Sequence, residues 1–195
     1  MDLRTLAKAY DNSAADYDLR FRAVQRIKYR VAVALLFRLA PPGPAGLLLD
    51  AGGGTGLFHD WLAADDEELV SARASLRGMR HLVVDASSAM LRVARGRGLQ
   101  CAAGDLARPP LRSGSVEVLL AFTSILDRVE TSLAQLSSLL APGGTLVASF
   151  LAAEAPRPNA LARASGVSLI AGPVAAGQDQ IFLLQARALN REVSR

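Results

Sequence analysis

A glycine-rich loop that directly follows a short apolar strand constrains this chain more than any other feature. The β-type run Leu47–Leu49 ends at Asp50, and the following residues read Ala-Gly-Gly-Gly-Thr-Gly before a helical pattern begins. Glycines at Gly52, Gly54 and Gly56 permit a sharp turn in which backbone N–H groups approach a ligand, with a helix N-terminus behind them. The same residues also fit a tight strand–helix turn that binds nothing.

The succession of strand, turn and helix recurs along the chain. Continuously apolar strands that alternate with helices predict an α/β fold, with a mostly parallel sheet covered by helices on both faces. The predicted strands are 47–49, 81–84, 99–103, 116–122, 145–151, 167–170 and 180–186; the predicted helices are 3–10, 13–40, one after the glycine loop, 65–78, 88–95 with Ser87 as N-cap, 131–140 and 160–164.

Length and composition favour one domain over residues 1–195, with an N-terminal helical segment 1–46 and an α/β core 47–195. The longest uncharged apolar run, Val31–Phe37, is too short for a membrane span, and the N-terminus lacks the apolar stretch of a secretory signal. The single cysteine, Cys101, excludes an internal disulfide, and no Cys/His spacing predicts a metal site. We therefore expect a cytoplasmic protein without a metal.

The excess positive charge is concentrated at the N-terminus. Residues 1–46 hold eight Lys/Arg and four Asp, a difference equal to the net charge of +4 of the whole chain. Arg22, Arg26 and Arg30 form a stripe along one face of the predicted helix 13–40. Such a stripe is typical either of a solvated helix face or of a surface that contacts RNA.

Aspartates also stand at the ends of the second and third predicted strands. Asp85 is placed to accept hydrogen bonds from both hydroxyls of a ribose, and Asp105 to accept one from an exocyclic amine such as that of adenine. Because ligands of a parallel sheet bind outside the carboxyl ends of its strands, we expect Asp50, Asp85 and Asp105 to converge on one crevice. Each aspartate taken alone also fits a cap or turn.

The glycine-rich loop does not match the sequence motifs of two other nucleotide-binding loops. The dinucleotide fingerprint G-x-G-x-x-G/A requires Gly or Ala where the chain has Leu57, and a Walker A loop requires a Gly-Lys dipeptide, which the sequence lacks.

Four ordered segments carry a resemblance to a known family. They are LLLDAGGGTG (47–56), HLVVDASSAML (81–91), AAGDLARPPLRSGSVEVLLAF (102–122) and LLAPGGTLVASF (139–150). In this order they resemble a class I S-adenosylmethionine (SAM) methyltransferase, in particular the small-molecule subgroup that includes quinone-biosynthesis methyltransferases. The segment YDNSAADYD (10–18) is similar to the helix that folds over the cofactor in that subgroup.

The resemblance implies a Rossmann-like seven-stranded sheet with a reversed C-terminal hairpin, and SAM as the cofactor, converted to S-adenosylhomocysteine. It implies that the glycines hold the methionine part of SAM, that Asp85 holds the ribose and that Asp105 and Leu106 contact adenine. It also implies that 1–46 caps a SAM-binding core. The cofactor-binding residues that it implies are Tyr10, Tyr17, Asp50, Ala51, Gly52, Gly54, Gly56, Asp85, Ala86, Met90, Asp105, Leu106, Phe122 and Thr123.

The sequence designates no catalytic base. His59 is expected to be partly exposed and His81 to be structural, whereas Asp127 and Glu154 follow strands near the expected acceptor mouth. The segment FTSILDRVE (122–130) lacks the Asn/Asp-Pro-Pro-Tyr/Phe motif of amino-group DNA and RNA methyltransferases. Cytosine-C5 chemistry is disfavoured because no Pro-Cys nucleophile is present.

The acceptor therefore stays open among three interpretations. We expect a small molecule; the alternatives are a tRNA, rRNA or protein acceptor reached through Arg22, Arg26 and Arg30, or a SAM-binding protein without catalysis. An activating subunit or a homodimer fits a small methyltransferase that has no recognition domain of its own. The 65–78 segment is longer than is typical of the subgroup and fits a solvated helix, a lid or a partner surface.

Overall fold

The computed structural model describes residues 3–64, 68–126 and 128–187. Within these ranges seven strands form one sheet: β1 (Leu47–Ala51), β2 (Arg80–Asp85), β3 (Cys101–Ala103), β4 (Val116–Phe122), β5 (Leu140–Leu151), β6 (Ser168–Ala176) and β7 (Asp179–Gln185). Their order is β3-β2-β1-β4-β5-β7-β6. Neighbours run parallel except that β7 is antiparallel to both β5 and β6. The predicted α/β class and its reversed C-terminal hairpin are confirmed.

Helices cover both faces of the sheet. Over the described ranges they are α1 (Leu3–Ser13), α2 (Tyr17–Leu39), α3 (Leu57–Ala63), α4 (Val70–Arg77), α5 (Ser88–Gly96), α6 (Val129–Ser138) and α7 (Pro158–Ser165). In the part of the chain that the structure describes, none of these helices combines the length and apolarity needed to cross a bilayer.

Successive strand residues point to opposite faces and build two cores. Leu48 packs in one core with residues of α2, α3 and α4, whereas its neighbour Leu49 packs in the other with residues of α6 and α7. The run Val118–Ala121 alternates between the same two cores. Burial on both faces explains why these strands read as continuous apolar runs.

The topology places the site at one edge of the sheet. β1 lies between β2 and β4, so the connections on its two sides diverge from the carboxyl end of β1. A crevice forms at such a switch point, and the glycine loop opens into it.

Several element boundaries differ from those expected; β6, for example, runs to Ala176 where a strand over 167–170 was expected. β5 begins at Leu140, where a strand was expected only from residue 145, and runs through the Ala141–Gly144 segment because the Gly144 carbonyl accepts from the N–H of Ala186 across the sheet. β3 begins at Cys101 rather than Leu99, because the side chain of Leu99 packs against Gly56. The helix expected over 65–78 begins at Val70; residues 65–67 lie outside the described ranges.

Candidate cofactor and acceptor site

A cleft opens at the carboxyl ends of the central strands and brings most of the predicted site residues together. Its walls come from the glycine loop, the ends of β2 and β4, the loop after β3, and the two N-terminal helices. The predicted residues that line it are Tyr10, Tyr17, Gly52, Gly54, Asp85, Ala86, Met90, Asp105, Leu106, Phe122 and Thr123.

The glycine loop closes tightly against its neighbours. Gly52 has a positive φ of 72°, and its N–H donates to the Val84 carbonyl at 2.7 Å. A Cβ at this position would collide with Ser124, whose hydroxyl donates to the Ala51 carbonyl at 2.7 Å. The conformation and the space both require glycine here, so the backbone itself forms the wall of the cleft.

Asp85 joins this loop to the start of α5. One carboxylate oxygen accepts from the Gly54 N–H at 2.9 Å, and the other accepts from the Ser87 N–H at 2.8 Å. Burial raises the pKa of Asp85, and these two backbone hydrogen bonds oppose the rise. Ser87 caps α5 as predicted, since its hydroxyl accepts from the Met90 N–H at 3.1 Å.

Three predicted residues lie behind the cleft wall and not on it. Ala51 is fully buried, and Gly56 packs against Leu99 where α3 begins. The carboxylate of Asp50 was expected to converge with those of Asp85 and Asp105. Instead it is buried below the loop and faces His59, because β1 directs its side chain away from the cleft.

The N-terminal helices close the cleft from above. Tyr10 and Tyr17 both line it, with ring centroids 6.3 Å apart, and Phe21 packs on Tyr17 at 4.8 Å. Gln25 donates to the Tyr17 hydroxyl at 3.3 Å. Burial raises the pKa of Tyr17 to about 12 and also raises the pKa of Tyr10. Both phenols therefore stay protonated near neutral pH.

Two aspartates that the sequence did not single out hold these helices in place. On α1, Asp11 accepts from the Ser87 hydroxyl at 2.6 Å and from the Ala89 N–H at 2.9 Å. On α2, Asp18 accepts from the Thr55 hydroxyl at 2.6 Å and pairs with Arg97. Asp11 thereby fastens α1 to the N-terminus of α5, a position that favours a negative charge.

The end of β4 forms the opposite wall. Ser124, Ile125 and Leu126 line the cleft after the predicted Phe122 and Thr123. Thr123 has a positive φ of 51°, unusual for a β-branched residue. Its hydroxyl is held below the cleft, 2.8 Å from the Lys28 ammonium and 2.6 Å from an Asp179 carboxylate oxygen.

Arg128 closes the far end of the cleft. Its guanidinium donates to Asp105 at 3.2 Å, and Asp105 also accepts from the Ala107 N–H at 2.9 Å. Arg128 and the other additional lining residues were not predicted from the sequence, although Gly104 and Ser124 lie just after the ends of β3 and β4, where ligand-binding residues of a parallel sheet are found. These additional residues are Leu6, Ala7, Gly104, Ser124, Ile125, Leu126 and Ser132.

The candidate bases are not gathered at the cleft. His59 is buried, contrary to the partly exposed position expected, and Glu154 is exposed after β5. Asp127 lies outside the described residues. Cys101 is half-buried in β3, where burial raises the pKa of its thiol. Among the described residues, no cluster of three or more His, Cys, Asp or Glu is arranged to hold a metal ion.

Comparisons with known proteins agree with this architecture. Residues 49–148 match the family model described as "Methyltransferase domain", Methyltransf_11. A search of curated proteins gives no match. Among solved structures, the complex between the Trm112 methyltransferase activator and a methyltransferase of Haloferax volcanii contains a chain that is 16% identical; the match covers 91% of this chain and 97% of that one, with a TM-score of 0.71.

Two further structures extend the comparison. A SAM-dependent methyltransferase of Thermotoga maritima is 19% identical, with 91% of this chain and 98% of that one covered and a TM-score of 0.64. Phosphoethanolamine N-methyltransferase 2 of Haemonchus contortus, solved with SAM, is 22% identical, with 62% and 27% covered and a TM-score of 0.50.

The fold, the cleft and the family match together define a class I SAM-dependent methyltransferase, an enzyme whose cofactor is SAM. The chain belongs to the Methyltransf_11 family of methyltransferase domains.

Proposed function

We propose that the cleft binds SAM with Gly52 and Gly54 against its methionine part, Asp85 at the ribose, and Asp105 and Leu106 at the adenine. Three features support this arrangement: a wall formed by the glycine backbone, a half-buried carboxylate beside it, and aromatic rings above it. The Asp85 carboxylate accepts from the backbone N–H groups of Gly54, Ser87 and Ala86 and, with about four acceptor positions, still has capacity for a ligand hydroxyl.

SAM when bound supplies a methyl group already activated on a sulfonium. The residues of the chain then have to align the acceptor and exclude water, and alignment of this kind contributes roughly 7–11 kcal/mol in favourable cases. Tyr10 and Tyr17 on one side and Phe122 on the other supply the apolar, water-excluding walls.

We further propose that the acceptor is a small molecule. The observation that carries this proposal is the closure of the cleft by α1, whose Leu6, Ala7 and Tyr10 line it while Asp11 fastens the helix. Ile125 and Leu126 add apolar surface at the opposite wall. An acceptor that fits beneath α1 is compact, and the walls favour an apolar or aromatic body.

The test is transfer of label from methyl-labelled SAM to three pools from the same cells: a low-molecular-mass extract, total RNA and total protein. Label is expected in the low-mass fraction in an enzyme-dependent manner, with an Asp85→Ala enzyme as the control. Enzyme-dependent label in RNA or protein alone would contradict the small-molecule proposal.

The contact between α1 and α5 yields a prediction about cofactor retention. Asp11→Ala is expected to weaken SAM binding by roughly three- to tenfold, because α1 loses its attachment at a helix N-terminus. The Ser87 and Ala89 hydrogen bonds lower the pKa of Asp11 below its usual 3.8, so its charge persists throughout neutral pH and is lost only as pH falls through that lowered value. Calorimetric titration measures the affinity; unchanged affinity in Asp11→Ala would contradict a closing role for α1.

The basic stripe has partners within the chain, which disfavours the RNA alternative. Arg22 pairs with Asp60 at 2.5 Å, and Arg30 pairs with Glu68 at 3.0 Å. Replacing Arg22, Arg26 and Arg30 together by alanine is expected to leave the salt dependence of RNA binding unchanged, because Arg22 and Arg30 are already paired with carboxylates. A flatter slope in a filter-binding series over salt concentration would instead support an RNA acceptor.

An activating subunit is the partner that we propose, since a similar chain from Haloferax volcanii was solved in complex with a methyltransferase activator; a homodimer is the alternative. Light scattering of the purified protein, alone and with the activator of its own organism, distinguishes them. The single-domain organisation over 1–195, with cap 1–46 and core 47–195, and the cytoplasmic location stay predictions.

A further inference from the structure

A positive charge stands at the far end of the cleft, in the wall that follows β4. Arg128 is the N-cap residue of α6, has a positive φ of 45°, and lines the cleft with a side chain that is 47% exposed. Within the described ranges it is the only basic residue that lines the cleft, whereas Asp85 and Asp105 supply two negative charges. A residue other than glycine is uncommon in this backbone conformation, and residues held in it cluster at functional sites.

The ion pair between Arg128 and Asp105 is one that a ligand can exchange. Nη2 of Arg128 lies 3.4 Å from one carboxylate oxygen of Asp105 and 3.2 Å from the other. One nitrogen thus meets both oxygens, in place of the two-nitrogen fork of the strongest arginine–carboxylate pairs. The two side chains are 47% and 25% exposed, and ion pairs in contact with solvent contribute little stability. A ligand anion can therefore share the guanidinium or take it over at small cost.

A buried hydroxyl without a partner lies one turn further along α6. Ser132 is 5% exposed and lines the cleft, and its backbone N–H donates to the Arg128 carbonyl at 2.9 Å. Among the described residues, the Ser132 hydroxyl takes part in no hydrogen bond. Because an unpaired buried hydroxyl costs free energy, this group is suited to hydrogen-bond with a ligand in the cleft.

The start of α6 favours a negative charge at the same place. The helix spans 10 residues, and its N-cap Arg128 forms no side-chain capping hydrogen bond. The partial positive charge at a helix N-terminus attracts anions. Glu130, the acidic residue of the first turn, is exposed and is not among the residues that line the cleft. Arg128, Ser132 and the helix terminus therefore act in the same direction.

The surroundings indicate which anion fits. Ile125 and Leu126, the latter 40% exposed, line the cleft beside Arg128 and offer apolar surface to the rest of the ligand. Asp85 and Asp105 already place two negative charges in the cleft against one guanidinium. Because like charges close together are unfavourable, a singly charged carboxylate fits better than a doubly charged phosphate.

We propose that Arg128 and Ser132 form a recognition site for a carboxylate on the methyl acceptor. This rests on the proposed function and adds a charge to the apolar or aromatic body proposed there. In the proposed arrangement Asp105 also accepts from the adenine, so its hold on Arg128 weakens once the cofactor is bound. The acceptor carboxylate then replaces Asp105 as a partner of the guanidinium.

The test titrates benzoate and benzamide separately into the protein saturated with S-adenosylhomocysteine, followed by NMR of the nitrogen-labelled chain. The two probes have the same shape and differ in charge. The wild type is expected to bind benzoate roughly tenfold more tightly, the size of one hydrogen bond to a charged group. Arg128→Gln should remove this preference, and Arg128→Lys should keep part of it. The matched control is Arg108→Gln, which removes an exposed charge outside the cleft lining and should keep the preference.

Equal binding of the two probes by the wild type would overturn the inference. So would a role of Arg128 confined to holding Asp105, in which Arg128→Gln weakens S-adenosylhomocysteine binding but leaves the preference for benzoate unchanged. Tighter binding of phenyl phosphate than of benzoate at pH 8 would overturn the assignment to a carboxylate. If the folded wild type bound no S-adenosylhomocysteine, the proposed function would fail as well; retained binding without a preference leaves the proposed function intact.

Ser132→Ala tests the hydroxyl separately from the charge. Because this hydroxyl has no partner among the described residues, its removal is expected to leave the melting temperature unchanged or slightly raised. Benzoate binding should weaken roughly threefold, the loss of one modest hydrogen bond. A lower melting temperature with unchanged benzoate affinity would contradict the role of Ser132 in binding.

The low-molecular-mass extract tests the inference on the natural acceptor. The extract is passed over a strong anion exchanger at pH 8 before the reaction, and the flow-through and the retained fraction are each incubated with enzyme and methyl-labelled SAM. Enzyme-dependent label is expected from the retained fraction, because its compounds are anionic whichever group then receives the methyl. Label from the flow-through alone would overturn the inference and leave the small-molecule proposal intact.

Discussion

Asp85→Ala should bind SAM at least about 100-fold more weakly than the wild type. In the proposed site the carboxylate accepts hydrogen bonds from both ribose hydroxyls, and a hydrogen bond to a charged group contributes about 1.5–3 kcal/mol. Losing two of them therefore costs about 3–6 kcal/mol, and each 1.4 kcal/mol is roughly tenfold in affinity. The alanine also releases the Gly54 and Ser87 N–H groups that Asp85 holds. Calorimetric titration with SAM measures the loss.

Asp85→Asn separates binding from folding. Burial raises the pKa of Asp85, which means that the charged carboxylate lowers the stability of the folded state relative to the neutral carboxyl group. This loss of stability becomes smaller as pH falls toward the raised pKa. The neutral asparagine removes this loss of stability but keeps only one acceptor oxygen for the Gly54 and Ser87 N–H groups, so we expect it to unfold within a few degrees of the wild type at pH 7, yet to bind SAM more weakly. Thermal unfolding followed by circular dichroism makes the comparison.

The matched control is Asp16→Ala. Asp16 is a half-exposed carboxylate that forms a 3.6 Å surface pair with Arg20. We expect this variant to bind SAM like the wild type. Wild-type affinity in Asp85→Ala, or an equal loss in Asp16→Ala, would remove the ribose role assigned to Asp85.

Much of this fold is predictable from local pattern. β4 has the expected bounds, and the Ser87 cap follows from residue chemistry alone. Errors arise where a distant partner decides the outcome. The Ala141–Gly144 segment contains a helix-breaking composition, but it continues β5 because the N–H of Ala186, remote in sequence, hydrogen-bonds to it. Likewise, β3 begins late because Leu99 packs against Gly56.

The residues of the site likewise fall into two groups, those that a local sequence pattern predicts and those that depend on the three-dimensional arrangement. Glycines and aspartates at strand ends are visible in the sequence, since parallel strands bring their carboxyl ends to one edge. The direction of the Asp50 side chain cannot be predicted from the sequence, because successive strand residues point to opposite faces of the sheet and the chain turns directly after Asp50 into the glycine loop. Asp11 and Lys28 reach partners 76 and 95 residues away, and no pattern in one sequence pairs such residues.

Lys28→Met should lower the free energy of unfolding by about 3–5 kcal/mol, the cost of leaving one buried charge without its partner. The Lys28 ammonium is 2.8 Å from an Asp179 carboxylate oxygen, and the two side chains are 4% and 3% exposed. That oxygen also accepts from the hydroxyls of Thr123 and Ser149, at 2.6 and 3.0 Å. The pair thus joins α2, β7 and the end of β4. For a chain of this size the melting temperature should fall by roughly 6–20 °C.

The double variant Lys28→Met, Asp179→Asn tests whether charge is the cause. Asparagine keeps acceptors for Thr123 and Ser149 but carries no charge, so the double variant should be more stable than the sum of the two single changes by about 2 kcal/mol or more. Arg20→Met, which removes the exposed pair with Asp16, should cost about 1 kcal/mol or less. Additive single changes would mean that Lys28 stabilises the fold by packing alone. Coupling would mean that a buried ion pair holds Thr123, and with it the acceptor wall, in its strained conformation.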